Sequence, residues 1–118
     1  MKSLTVPMNY INKELNDELK KFNILEVLKR DLNTMDLLLL NEILMEYPLL
    51  EKVTIEDEEY IDYNYKNLNK RYKDILYHEN VWSKAKSRLE AKGIITTKKI
   101  NGKLLIKLEL KEINNIVW

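Results

Sequence analysis

Residues 80–110 read NVWSKAKSRLEAKGIITTKKINGKLLIKLEL, and this stretch decides the fold. Asn80 can cap a helix predicted over Val81 to Lys92, in which Trp82, Ala85 and Leu89 recur at the spacing of one buried face. Gly93 stands where a helix stops by entering the left-handed conformation. Ile94 to Lys99 is rich in β-branched residues and predicts a strand. Asn101-Gly102 is a hairpin turn signal, because both central residues of a type I′ turn need positive φ. The chain returns from Leu104 to Leu110 with Leu104, Ile106, Leu108 and Leu110 on one face, and Lys103, Lys107 and Glu109 mostly on the other.

Working outward, Asn9 to Leu32 carries Ile11, Leu15, Leu19, Phe22, Leu25 and Leu28 at helical spacing, with a break signalled by Asn23. A second helix is predicted from Thr34 to Tyr47, capped by Asn33 or Thr34 and followed by Pro48. Leu37, Leu40, Leu44 and either Leu38 or Ile43 would face its core side. Lys52 to Ile55 suits a short extended segment. Thr54 and Asp57 then resemble a capping pair for a third helix over Ile55 to Leu76, which would carry Tyr60, Tyr63, Tyr65 and Tyr72, with Tyr77 just beyond. Lys111 to Trp118 suits a short closing helix. The predicted class is mainly α with a small β-hairpin. Residues 1–32 form a helical extension whose apolar stripe either closes the core of one chain or, the favoured reading, pairs with a second copy as a dimerisation element. Ile116, Val117 and Trp118 could pack beside it, and residues 33–118 form the main domain.

A chain of 118 residues fits one domain with a modest core. No apolar run nears the roughly 20 residues that cross a bilayer, and no apolar leader segment follows Lys2. The expectation is a cytoplasmic, nucleoid-associated protein with no membrane partner. Cysteine is absent, which excludes disulfides, thiolate metal sites and thiol nucleophiles. The single histidine, His78, cannot supply a zinc ligand set, and nothing around it resembles a nucleophile elbow. Neither Gly93 nor Gly102 opens a phosphate-binding loop. These absences leave a paired-carboxylate site as the open catalytic arrangement, and the reading is a non-enzyme with no metal and no cofactor.

The net charge of +1 hides a strong asymmetry. Residues 1–63 hold seven Lys/Arg against fourteen Asp/Glu, and residues 64–118 hold thirteen against five. The basic half is a candidate polyanion footprint. Between Asn80 and Lys107 stand eight cations and one acid, Glu90. On the helix, Ser83, Lys84, Ser87 and Arg88 point away from the apolar stripe and Lys86 flanks it. Arg88 is the natural reader of guanine or clamp on a phosphate. Lys98, Lys99, Asn101 and Lys103 gather around the hairpin tip. The tyrosines are read as packing residues and His78 as a loop residue.

A helix followed by such a hairpin resembles the recognition helix and wing of winged helix-turn-helix regulators. MarR-like proteins have a comparable junction, represented here by Leu89, Glu90, Gly93 and Ile94. The longer stretch from Val53, VTIEDEEYIDYNYKNLNKRYKDIL, is similar to the C-terminal winged-helix domain of archaeal origin-recognition initiator proteins. The likeness covers about the last two thirds of the chain and makes residues 33–118 a winged-helix domain. It implies binding of double-stranded DNA through Ser83, Lys84, Lys86, Ser87, Arg88, Lys98, Lys99, Asn101 and Lys103. It carries no nucleotide-binding module. The implied role is a sequence-specific transcriptional regulator, with a protein–protein adaptor in a replication, transcription or viral assembly as the alternative. Abundant Ile, Lys, Asn, Glu and Tyr without Gln suits an AT-rich genome, and with the resemblance suggests an archaeal or viral source.

Overall fold

The computed structural model describes residues 21–72 and 80–117. The predicted helical stripe at Ile11, Leu15 and Leu19, together with Tyr77, His78 and Trp118, lies outside the described residues. Among these residues, five α-helices and one antiparallel sheet make an α+β fold: α1 (Ile24–Lys29), α2 (Thr34–Glu46), β1 (Lys52–Ile55), β2 (Glu58–Tyr63), α3 (Lys66–Arg71), α4 (Val81–Ala91), β3 (Ile95–Ile100), β4 (Lys103–Leu108) and α5 (Leu110–Ile116). A short 3-10 turn at Tyr47–Leu49, opened by Pro48, ends α2.

Local chemistry sets the helix boundaries. Asn23 marks the anticipated break, because its side chain accepts hydrogen bonds from the Leu25 and Glu26 amides and starts α1. Phe22 beside it is buried, and the Asn23 amide bonds to the Ile116 carbonyl at 2.6 Å, tying this segment to α5. Asp31 at φ 54 closes α1, with the Leu32 amide bonded back to the Val27 carbonyl at 3.0 Å. Asn33 then caps α2 in a reciprocal box with Asp36. Every residue of α2 from Met35 to Ile43 is buried, so Leu38, Leu39 and Ile43 all enter the core. A one-sided stripe was expected. Burial all round means that neighbours enclose this helix on every side.

The sheet corrects the reading of residues 55–76 as one helix. Its strand order is β1-β2-β4-β3. Glu56 and Asp57 adopt φ of 52 and 67 and turn the chain, so Ile55 faces Glu58 and Val53 faces Tyr60 across a hairpin. Asp tolerates the left-handed region better than most residues, and β-branched or aromatic residues at Val53, Thr54, Ile55, Tyr60, Ile61 and Tyr63 suit the two strands. β2 gains a second partner in β4, with Ile61 opposite Ile106 and Tyr63 opposite Leu104. That long-range pairing outweighs the helix propensity of the acidic run. Only Lys66–Arg71 of the expected third helix is helical among the described residues.

The last third follows expectation closely. Trp82, Ala85 and Leu89 are buried, and Gly93 at φ 73 stops the helix, with the Ile94 amide returning to the Leu89 carbonyl at 3.0 Å. Asn80 occupies the cap position, but its side chain makes no capping bond. Asn101 and Gly102, at φ 53 and 77, form the β3–β4 turn. Leu110 leaves the strand face and instead begins α5, exposed. The helices cover one face of the sheet, where Ile61, Tyr63, Ile95, Ile106 and Leu108 join Leu39, Leu40, Ile43, Leu89 and Ile113 in the core. No helix among the described residues is long and apolar enough to cross a membrane.

Candidate nucleic-acid interface

The candidate surface comprises α4 and the β3–β4 hairpin. With Trp82, Ala85 and Leu89 fixed inward, a rotation of about 100° per residue divides the rest of α4 into two flanks and an outer side. One flank meets β3: Glu90 accepts from the Thr97 hydroxyl at 2.9 Å and from the Thr97 amide at 3.4 Å. The amide belongs to the open edge of the sheet, so this contact also blunts that edge. The other flank meets α2, where the Arg88 Nε donates to Asp36 at 2.7 Å. Between them Ser83, Lys84 and Ser87 stand exposed, with Lys86 half-buried one turn before Glu90.

The register sorts the hairpin side chains by face. Thr97 is opposite Ile106 and Lys99 is opposite Leu104, so Lys99 lies on the sheet face that carries the helices. It stands two residues beyond Thr97, on the side where Lys86 and Ser87 precede Glu90. The exposed outer side of α4, with Ser83, Lys84 and Ser87, thus runs through Lys86 on its β3 flank toward Lys99 on the hairpin, with Asn101 exposed at the hairpin tip. Lys98 is opposite Leu105, and Lys107 is opposite Thr96. These residues face the far side of the sheet, as Lys103 does through its contact with Asp62. The sequence grouped the hairpin lysines together; the pleat separates them.

Most of the eight cations counted in this region already have partners. Arg88 pairs with Asp36, which is 0% exposed. Lys92 donates to the Arg30 and Asp31 carbonyls at 2.6 and 2.9 Å, where α1 ends. Lys103 lies 3.5 Å from Asp62. Lys107 lies 2.8 Å from Glu58 and 3.3 Å from Glu109, and the hydrogen bond to Glu58 holds its ammonium above the ordinary lysine range. The Lys98 ammonium sits 5.8 Å from the Tyr60 ring centre, over the small buried pair of Tyr60 and Leu105 on the far face. Lys84, Lys86 and Lys99 make no ion pair with any described residue.

Arg88 is where the structure departs most from the sequence reading. Its guanidinium is turned toward α2 and satisfies a buried carboxylate that also caps that helix. Sequence reasoning passed over Lys66 and Lys70, exposed cations of α3. This helix starts three residues after Tyr63, at the end of the sheet that holds the β3–β4 turn. Their spacing in KNLNKR was the available signal, hidden by the single long helix expected there. Tyr60, Tyr63 and Tyr72 are buried, and Tyr65 packs edge-on against Tyr63 at 5.9 Å between centroids, so these tyrosines pack. Comparison with protein-family models, with curated proteins and with solved structures yields no match to the chain.

Proposed function

We propose that this protein is a winged-helix module that binds double-stranded DNA, with α4 in the major groove and the β3–β4 hairpin as its wing. The element order supports the fold assignment: α2, β2, α3, α4, then the hairpin, with β4 between β2 and β3. The observation that carries the functional reading is the surface bordered by Ser83, Lys84, Lys86, Ser87 and Lys99. It is polar, its three lysines lack partners among the described residues, and it spans helix and wing. Lysines and serines of this kind grip phosphates. With three lysines on phosphates, log K against log salt should fall with a slope of roughly −3. Lys99→Ala should weaken binding to every duplex alike and flatten that slope by about one unit. A duplex titration at two salt concentrations tests both statements, and a flat salt response counts against the reading.

Regulation of transcription by a homodimer is the cellular role that fits this reading. Its support is the outward apolar side of α1, where Ile24, Leu25 and Leu28 are 60%, 71% and 69% exposed. Two copies joined there would carry two α4 helices able to engage successive turns of one duplex. Light scattering of the full chain, with and without Leu25→Lys, measures it. The same apolar face favours the second reading, a protein–protein adaptor. That reading gains if the chain binds no duplex at low salt.

A further inference from the structure

The chain contains three arginines, and each faces a carboxylate. Arg30 lies 2.7 Å from Glu112 and 3.3 Å from Glu26. Arg71 lies 3.5 Å from the nearly buried Glu42. Arg88 lies 2.7 Å from the buried Asp36. Guanine and a narrow minor groove accept arginine or lysine, and arginine's rigid planar fork gives the more selective pair. Asparagine or glutamine would read adenine, but the sequence has no glutamine and α4 has no asparagine. What α4 presents outward is Ser83, Lys84, Ser87 and Ala91, with Lys86 at one flank. A lysine ammonium is a point charge on a flexible stem and does not fix a planar pair. A serine hydroxyl donates or accepts and pairs with many base edges.

Resting on the duplex-binding reading above, we infer that the protein holds DNA by its phosphates and discriminates little between sequences, in place of the specific readout that Arg88 promised. The carboxylates account for this. Asp36 is 0% exposed, and taking Arg88 to a base would strand its charge in the core. The guanidinium therefore serves to position α4 against α2.

The test is a selection of bound duplexes from a random library with the full chain. Anisotropy titrations of AT-rich, GC-rich and mixed duplexes at low salt then follow. The expected result is no enriched motif and affinities within about tenfold, against the roughly 10³-fold or more that separates specific from non-specific sites for a sequence reader. Arg88→Lys, which keeps a cation beside Asp36, should leave the ranking of duplexes unchanged. A motif bound more than about tenfold tighter than its scrambled version overturns the inference and leaves DNA binding standing. Failure to bind any duplex overturns the DNA-binding reading itself, and the inference with it.

Discussion

Arg88 shows how one residue changes meaning between sequence and structure. In the sequence it sits on the polar side of a basic helix, two residues after Lys86 and one before Leu89. In the fold it reaches Asp36, 52 positions away in the chain. Asp36 already caps α2 through Asn33, so the arginine completes a network joining two helices. Arg88→Ala should destabilise the fold by about 3 kcal/mol, because it leaves a buried carboxylate without a counter-charge. Arg88→Lys should recover part of that loss. Urea denaturation measures both, and a stability loss below about 0.5 kcal/mol would show that the pair is a loose surface contact. The same lesson holds for Lys92, whose partners lie 62 and 61 positions away. Composition gives the number of cations but not which are already paired, since pairing depends on long-range contacts. Thus Ser83, Lys84, Ser87 and Lys99 are legible as exposed polar groups and Lys86 as a flanking one, while the commitments of Arg88, Lys92, Lys103 and Lys107 are not.

At the scale of elements, the two hairpins differ in how openly they announce themselves. The β3–β4 turn is Asn-Gly between alternating strands, a local signal that needs no tertiary help. The β1–β2 turn is Glu56-Asp57 inside an acidic run that also suits the first turn of a helix. Its strand β2 has neighbouring residues Tyr60 and Ile61 both buried, on opposite faces, which hides the alternation that a one-sided strand would show. Only pairing with β4 distinguishes the two outcomes, and that contact is invisible locally. Substitution separates them by sign. At φ 67, Asp57→Gly should relieve left-handed strain and stabilise the protein by about 0.5–1 kcal/mol. In a helix the same change would cost about 1 kcal/mol. Thermal denaturation of the variant reads the sign directly, and a lowered midpoint would restore the helical reading of this segment.

At the scale of the whole molecule, antiparallel pairing of β2 with β4 sets the two turns at opposite ends of the sheet. Glu56 to Glu59 cluster at one end, and Lys99, Asn101 and Lys103 stand at the other. Among the described residues, the sheet thus carries acidic side chains at one end and basic ones at the other, a gradient that would orient a polyanion on approach. The acidic end also supplies a tie to α2, because the Tyr47 hydroxyl donates to Glu59. That hydrogen bond, with burial, pushes the Tyr47 phenol from its ordinary 10.0 up to about 12, and burial raises Tyr63 further. The folded state thus favours the neutral phenols. Their contribution is complete below pH 10 and is lost as pH climbs through the raised values. The urea midpoint should fall between pH 10 and 12, and Tyr47→Phe should lessen the fall. A midpoint unchanged over that range would contradict the contact.

The most direct test of the central claim is an anisotropy titration of one labelled duplex. It compares the wild-type chain with the triple variant Lys84→Ala, Lys86→Ala, Lys99→Ala at about 50 and 200 mM salt, where phosphate-driven binding differs most. The surface described here requires wild-type binding that falls by about fortyfold to seventyfold across that interval, consistent with three phosphate contacts. It also requires near-complete loss of affinity in the variant, with circular dichroism unchanged. Equal binding by the two proteins, or none by either, would contradict it.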